Sequence, residues 1–131
     1  MAKTEEYLNK DFNGLCFTNL VDFDMIFGHR RNVDGYANAL SEFDKWLGSF
    51  VEKLLDDDLL IITADHGCDP AFTKTTDHTR ECVPLIMYGK NITPQNFGTL
   101  PTLSVIAKSV CDYLGVECKV SGKSLLGENN G

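Results

Sequence analysis

The chain holds three histidines, and each has an aspartate close by in sequence. Asp24 lies five residues before His29, Asp65 is adjacent to His66, and Asp77 is adjacent to His78. Two of these pairs fall inside one stretch, ITADHGCDPAFTKTTDHTR, residues 62–80. Carboxylate oxygen with imidazole nitrogen is the ligand mixture of divalent transition metals such as manganese, zinc or iron, and it is too rich in nitrogen for calcium or magnesium alone. A single Asp-His pair is commonplace and often only caps a turn. Three pairs, each just beyond the end of an expected strand, point instead to metal ligation and leave no histidine for core or surface duty. Two metals about 4 Å apart can clamp a phosphoryl group, neutralising its charge and steadying the entering and leaving oxygens. Arg30, Arg31 and Arg80 flank the cluster. They read equally well as phosphate donors and as solvated partners of the many carboxylates. Cys68 has no second ligand sulfur at metal spacing and reads as a packed bystander thiol.

The elements that must position these side chains follow from apolar patterning. Leu15–Asp22 is short, mostly apolar and follows Asn13-Gly14, so a buried strand is expected there, running out at Asp22-Phe23-Asp24. From Val33 to about Leu55 the apolar residues recur at three and four, with Asn32 suited to cap the start, which predicts a long helix. Leu59–Thr63 and Val83–Tyr88 read as two more buried strands, and a helix is expected from Thr102 as its cap to a stop at Gly115. Gly28 and Gly67, beside His29 and His66, are expected to let the backbone turn tightly. Apolar runs without alternation, separated by a long helix, favour an α/β fold with a mainly parallel sheet flanked by helices. In such sheets ligands collect at the carboxyl ends of the strands, where the Asp-His pairs fall.

Bulk composition narrows the alternatives. A chain of 131 residues, 43% hydrophobic and 24% charged, fits a single soluble segment. A net charge of −7 argues against nucleic acid as a partner, because backbone binding rests on clustered Lys and Arg. The apolar runs are too short to span a membrane and the start, Met-Ala-Lys-Thr-Glu-Glu, lacks an apolar signal region, so a cytoplasmic location is expected. Five cysteines, an odd number without CxxC spacing, read as reduced and mostly buried thiols. The polar ends, Met1–Lys10 and Ser121–Gly131, are expected to be loosely held.

Three segments, VDFDMIFGHRRNVDGYANAL, ITADHGCDP and TDHTRECVPLIMYG, together resemble the C-terminal part of phosphopentomutases, of the alkaline phosphatase superfamily. The Asp-x4-His, Ala-Asp-His-Gly and His-Thr elements also occur in cofactor-independent phosphoglycerate mutases; Asp22-Phe23-Asp24, Gly28-His29-Arg30-Arg31, Gly35-Tyr36 and Asp77–Glu81 tilt toward phosphopentomutase. The resemblance, which runs from about Gly14 to Leu126, implies a partial alkaline-phosphatase-like core: a single C-terminal segment of the metal-binding domain, without the family's N-terminal strands and cap domain. It implies Asp24, His29 and His78 as ligands of one metal and Asp65 and His66 as ligands of another, with manganese the expected metal and zinc the alternative. Asp77 is then a partner of a ligand rather than a ligand. The implied activity is interconversion of ribose or deoxyribose 1-phosphate and 5-phosphate through a phosphothreonine. That threonine, and one further metal aspartate, belong to the family's N-terminal region, so no residue here is assigned as nucleophile and the chain alone is expected to be inactive. A non-catalytic metal-binding module and a fragment of a phosphoglycerate mutase are the competing readings. Asn32 stands where the family more usually has Asp, and Cys68 where it usually has Asn. A sheet without its neighbours leaves an open edge and apolar faces, so self-association or marginal stability is expected.

Overall fold

A computed structural model describes residues 1–127, which form two compact units. The first comprises Met1–Lys10 and Cys16–Lys90; the second comprises Asp11–Leu15 and the segment from Asn91 onward. The element order is α1 (Ala2–Leu8), a π-helical turn (Phe23–Gly28), α2 (Val33–Val51), β1 (Leu60–Thr63), β2 (Leu85–Tyr88) and α3 (Ser104–Tyr113).

In the first unit α2 is the organising element. Asn32 Oδ1 accepts from Gly35 N at 2.9 Å, satisfying a first-turn amide as the sequence predicts. The helix ends at Val51 rather than near Leu55. Beyond it, Lys53 N–H donates to Phe50 O, and the Leu55 amide is taken by Asp58 Oδ2 at 2.7 Å, so the side chain outcompetes a further helical turn. Its buried face carries Phe43, Trp46 and Phe50 in successive ring contacts of 5.6 and 4.6 Å, and Phe23 meets Tyr36 and Phe43 edge-on at 5.5 and 6.4 Å. Phe50 and Leu54 are the buried apolar residues of this unit among the described residues.

The fold is α/β, but the sheet departs from the expectation. β1 and β2 pair antiparallel, Leu60 opposite Tyr88 and Thr63 opposite Leu85, and they are the two strands of the sheet among the described residues. A parallel pair needs a crossover element between its strands. α2 could serve as that crossover only if Leu15–Asp22 were a strand, and it is not. A strand exists through its pairing, and no described segment pairs with this one; Phe17 is left 83% and Leu15 62% exposed. β2 begins two residues later than expected because Pro84 has no N–H to give the ladder.

Met1–Lys10, expected to be loose, contains α1. A seven-residue helix does not hold by itself. It is tied by Glu5 to Lys53 at 2.9 Å and by Thr4 to Thr18 through their hydroxyls at 3.1 Å.

The second unit is built on α3. Thr102 Oγ1 accepts from Ser104 N at 3.2 Å, although the capping position itself is Leu103. Gly115, at φ 65°, stops the helix as expected, with Val116 N–H donating to Cys111 O at 2.9 Å. Ser109 is fully buried; its hydroxyl donates to Val105 O at 2.7 Å and accepts from Leu125 N at 2.8 Å. Gln95 Nε2 donates to Leu125 O at 3.1 Å. The segment after Ser121 is therefore anchored at Leu125 rather than loose, while residues 128–131 of that expectation lie outside the described residues.

Leu15, Phe17, Met25 and Ile26 are large apolar side chains that face solvent. The cysteines, expected to be mostly buried, are not: Cys16 and Cys82 are exposed and Cys68, Cys111 and Cys118 half-exposed.

Candidate metal centre

Asp24 and His29 belong to one backbone device. On an α-helix residues five apart point about 140° away from each other. Here His29 N–H donates to Asp24 O at 2.8 Å, and Asn32 N–H to Phe27 O at 2.9 Å, the i→i−5 pattern of a π-turn. The wider turn returns both side chains to one side, with Asp24 Oδ2 3.2 Å from His29 Nε2.

His78 reaches the same carboxylate from the loop between β1 and β2. Thr79 N–H donates to Gly67 O at 3.2 Å, and Thr79 Oγ1 accepts from Asp69 N at 2.6 Å, which pins the stretch that follows β1 to the segment carrying His78. His78 Nε2 then lies 3.6 Å from Asp24 Oδ1. One ligand atom from each of Asp24, His29 and His78 lies within 4.8 Å of the others. Ligand atoms around a transition metal bonded at about 2.0–2.2 Å stand about 3.0–3.5 Å apart, close to the two separations measured from Asp24.

Two further observations fit a cation. Asp24 Oδ1 is buried without a hydrogen-bond partner, an arrangement that a positive charge relieves. The imidazoles are also oriented for ligation. His29 Nδ1 donates to Thr76 O at 2.5 Å and His66 Nδ1 to Gly67 O at 3.1 Å, so each ring carries its proton on Nδ1 and presents the Nε2 lone pair.

Asp65 and His66, at the end of β1, form a second and more open pair. His66 Nε2 is 3.7 Å from Asp65 Oδ1, whose side chain is 88% exposed. The His66 ring stacks on His78 at 3.6 Å between centroids, so the second pair abuts the first cluster. Asp77 caps backbone: its Oδ1 accepts from His78 N at 2.8 Å and so fixes the residue that brings His78 in.

The sequence reading missed the role of Arg31. Its guanidinium does not stand open to phosphate. Nε and Nη2 donate to Thr75 O at 2.9 and 2.6 Å, Nη1 donates to Asp69 O at 3.0 Å, and Nη2 also donates to Asp77 O. One side chain thus ties the turn of His29 to both flanks of the loop that presents His78, and the residue holds φ at 52° to do so. Nothing in the residue types distinguishes Arg31 from Arg30 in this respect.

The glycines serve space rather than turning. Neither Gly28 nor Gly67 has positive φ. A Cβ on Gly28 would meet Cys68 Sγ at 2.5 Å, and one on Gly67 would meet the Glu81 backbone at 2.7 Å. Cys68 therefore packs against the π-turn. Burial first, then the Asp24 charge, pushes its thiol above the ordinary range. Burial, then Cys68 and Asp24, raises the Tyr36 hydroxyl in the same way.

Sequence comparison bears on this geometry. The metalloenzyme superfamily profile matches residues 1–118, a span that contains all five candidate ligands. The chain belongs to the metalloenzyme superfamily. It is 53% identical over 126 residues to a phosphopentomutase of Acetivibrio thermocellus, covering 95% of this chain and 32% of that protein. It is 51% identical over 129 residues to one of Lachnoclostridium phytofermentans (98% and 33%), and 53% identical over 129 residues to one of Carboxydothermus hydrogenoformans (98% and 33%). The chain spans about a third of the length of these relatives. Divalent metal binding is the property that the superfamily and the Asp24 cluster both support.

Proposed function

We propose that this chain is the C-terminal metal-binding portion of a phosphopentomutase, part of a single alkaline-phosphatase-like core domain. The complete enzyme interconverts ribose or deoxyribose 1-phosphate and 5-phosphate in cytoplasmic nucleoside catabolism. The phosphothreonine, a further metal aspartate and the strands that would extend β1–β2 into a mainly parallel sheet come from sequence outside this chain. The observation that carries the reading is the convergence of His29 and His78 on Asp24, whose buried Oδ1 has no hydrogen-bond partner, in a chain half identical to phosphopentomutases.

In this reading Asp24, His29 and His78 hold one divalent metal, and Asp65 and His66 contribute to a second; manganese is the proposed ion, with zinc as the alternative. The metals supply positive charge that offsets a phosphoryl group. The chain's own residues orient the ligands: Thr76 O and Gly67 O set the tautomers of His29 and His66, and Arg31 holds the His78 loop. With Arg31 committed to carbonyls, Arg30 and Arg80 are the flanking arginines assigned to phosphate. The exposed Leu15, Phe17, Met25 and Ile26 are surface that the remaining sequence covers, and by itself the chain self-associates through it.

The test is complementation. The chain is mixed with a separately produced N-terminal portion of a phosphopentomutase in manganese, and conversion of ribose 1-phosphate to ribose 5-phosphate is followed beside phosphoglycerate as the competing substrate. Activity on the pentose phosphate in the mixture and in neither part alone is expected. Turnover of phosphoglycerate instead, or no turnover from a mixture whose parts associate and bind metal, removes the phosphopentomutase reading and leaves the metal centre standing.

A further inference from the structure

The second unit brings two thiols together at the end of α3. Cys111 sits in the helix's last turn and Cys118 lies three residues past its stop at Gly115. The reversal there, with Gly115 at φ 65° and Val116 N–H donating to Cys111 O at 2.9 Å, returns the chain to the helix end, and the side chains of Cys111 and Cys118 hydrogen-bond to each other. Both are half-exposed, so a small reagent can reach them. We propose that Cys111 and Cys118 are a redox modification site that closes reversibly into a disulfide.

Three features carry this. The helix-stop hydrogen bond fixes the backbone on the Cys111 side of the pair, so the thiols are held in register by secondary structure rather than by chance approach. Two sulfurs already in hydrogen-bond contact need only side-chain rotation and a small loop adjustment to reach the bonding distance of about 2.05 Å. The partner Cys118 lies in irregular chain, free of helix and strand ladders, which can make that adjustment. The site is independent of the metal-centre reading, since neither cysteine belongs to the Asp24 cluster.

The chemistry is thiol–disulfide exchange with a low-molecular-weight disulfide. One protein thiolate attacks a sulfur of the reagent, the reagent's S–S bond breaks, and one small thiol leaves. The second protein thiol loses its proton and attacks the mixed disulfide, releasing the second small thiol. The protein gives up two electrons and two protons, which the reagent's two sulfurs carry away. The hydrogen bond to Cys118, followed by burial, holds the Cys111 thiol above its ordinary range, which suits Cys111 to the second, resolving attack.

The experiment uses the full chain, equilibrated over a series of reduced and oxidised glutathione ratios, alkylated and digested with trypsin. Residues 109–119 form one tryptic fragment that contains Cys111 and Cys118 and no other cysteine. This fragment is expected unalkylated and lighter by two hydrogens at ratios where Cys16, Cys68 and Cys82 are still alkylated, with full reversal by dithiothreitol. In urea, closing the ring needs a proportion of oxidised to reduced glutathione at least about tenfold higher, because the folded helix end no longer gathers the thiols. Cys111→Ser and Cys118→Ser each abolish the ring while the circular dichroism of the reduced chain is unchanged. Glutathione carried singly on Cys111 and Cys118 without ring closure, or a ring that forms equally well in urea, overturns the proposal.

Discussion

Asp24 and Asp65 each stand beside a histidine, yet the chain treats them differently. Asp24 lies on a π-turn with one oxygen buried and unpartnered, faced by two imidazoles from separate segments. Asp65 follows a strand end, points into solvent over 88% of its side chain, and meets His66 alone at 3.7 Å. The difference lies in the links behind them. Around Asp24, a widened helical turn, a guanidinium clamp and a carbonyl-fixed tautomer agree on one geometry, whereas among the described residues His66 alone pairs with Asp65. A cluster organised within one chain is preorganised, and preorganisation sets affinity more than the number of ligands does.

The largest expected effect breaks the organised half outright. Asp24→Ala removes the carboxylate that both His29 and His78 face, and manganese or zinc affinity, read by competition with a chelating dye, should fall by more than the about 10–100-fold that an outer partner of a ligand costs. Equal affinities for the variant and the parent chain would show that this cluster is not the site. His78→Ala should follow closely, since it leaves two ligands on one turn.

Arg31 comes next. Three of its nitrogens donate to backbone carbonyls of the loop that presents His78, so Arg31→Ala should cost about 10–100-fold in metal affinity with the ligands intact. Arg31→Lys keeps the charge but not the planar fork, and is expected to recover little of the loss. Recovery by lysine would show that Arg31 acts through its charge and not as a clamp. Asp65→Ala should matter least among the ligands in this chain alone, below about fivefold, because an exposed charge pair is worth at most about 1 kcal/mol. A loss matching that of Asp24→Ala would erase the contrast between the two halves.

What the sequence disclosed of this site was residue type and spacing. Asn32 as cap, the start of α2, the stop at Gly115 and the two short strands all follow from local chemistry, and the structure keeps them. The gathering of His78 with Asp24 depends on a loop register set by Thr79 and Arg31, and no local rule encodes a contact 54 residues apart in sequence. The π-turn escaped for a related reason: Asp-x4-His looks like a loop pair until the i→i−5 bonds are seen. Leu15–Asp22 shows the opposite failure. Its apolar pattern is that of a strand, but pattern supplies only the propensity, and the pairing partner must come from elsewhere.

The smallest expected effect bounds the contrast from outside. Glu5 on α1 accepts from Lys53 at 2.9 Å, just past the end of α2, whereas the Asp24 cluster lies near its beginning. The 19 residues of α2 put about 28 Å between its ends. The hydrogen bond from Lys53 is the leading cause that lowers the Glu5 carboxyl below its ordinary value. A group whose value is depressed in the folded state stabilises that state above its unfolded value, and the contribution is lost as pH falls through the folded one. Acidification should therefore release α1 ahead of α2, seen as early exchange of the amides of residues 5–8, and Lys53→Ala should do the same at neutral pH. Because the pair is exposed and screened, global stability should move little. Metal affinity at neutral pH should not move at all in Lys53→Ala, since none of the Asp24 ligands is held through α1. A fall in affinity that tracks the loss of α1 would mean that the organised half of the site draws on the N-terminal helix as well as on the π-turn and the Arg31 clamp.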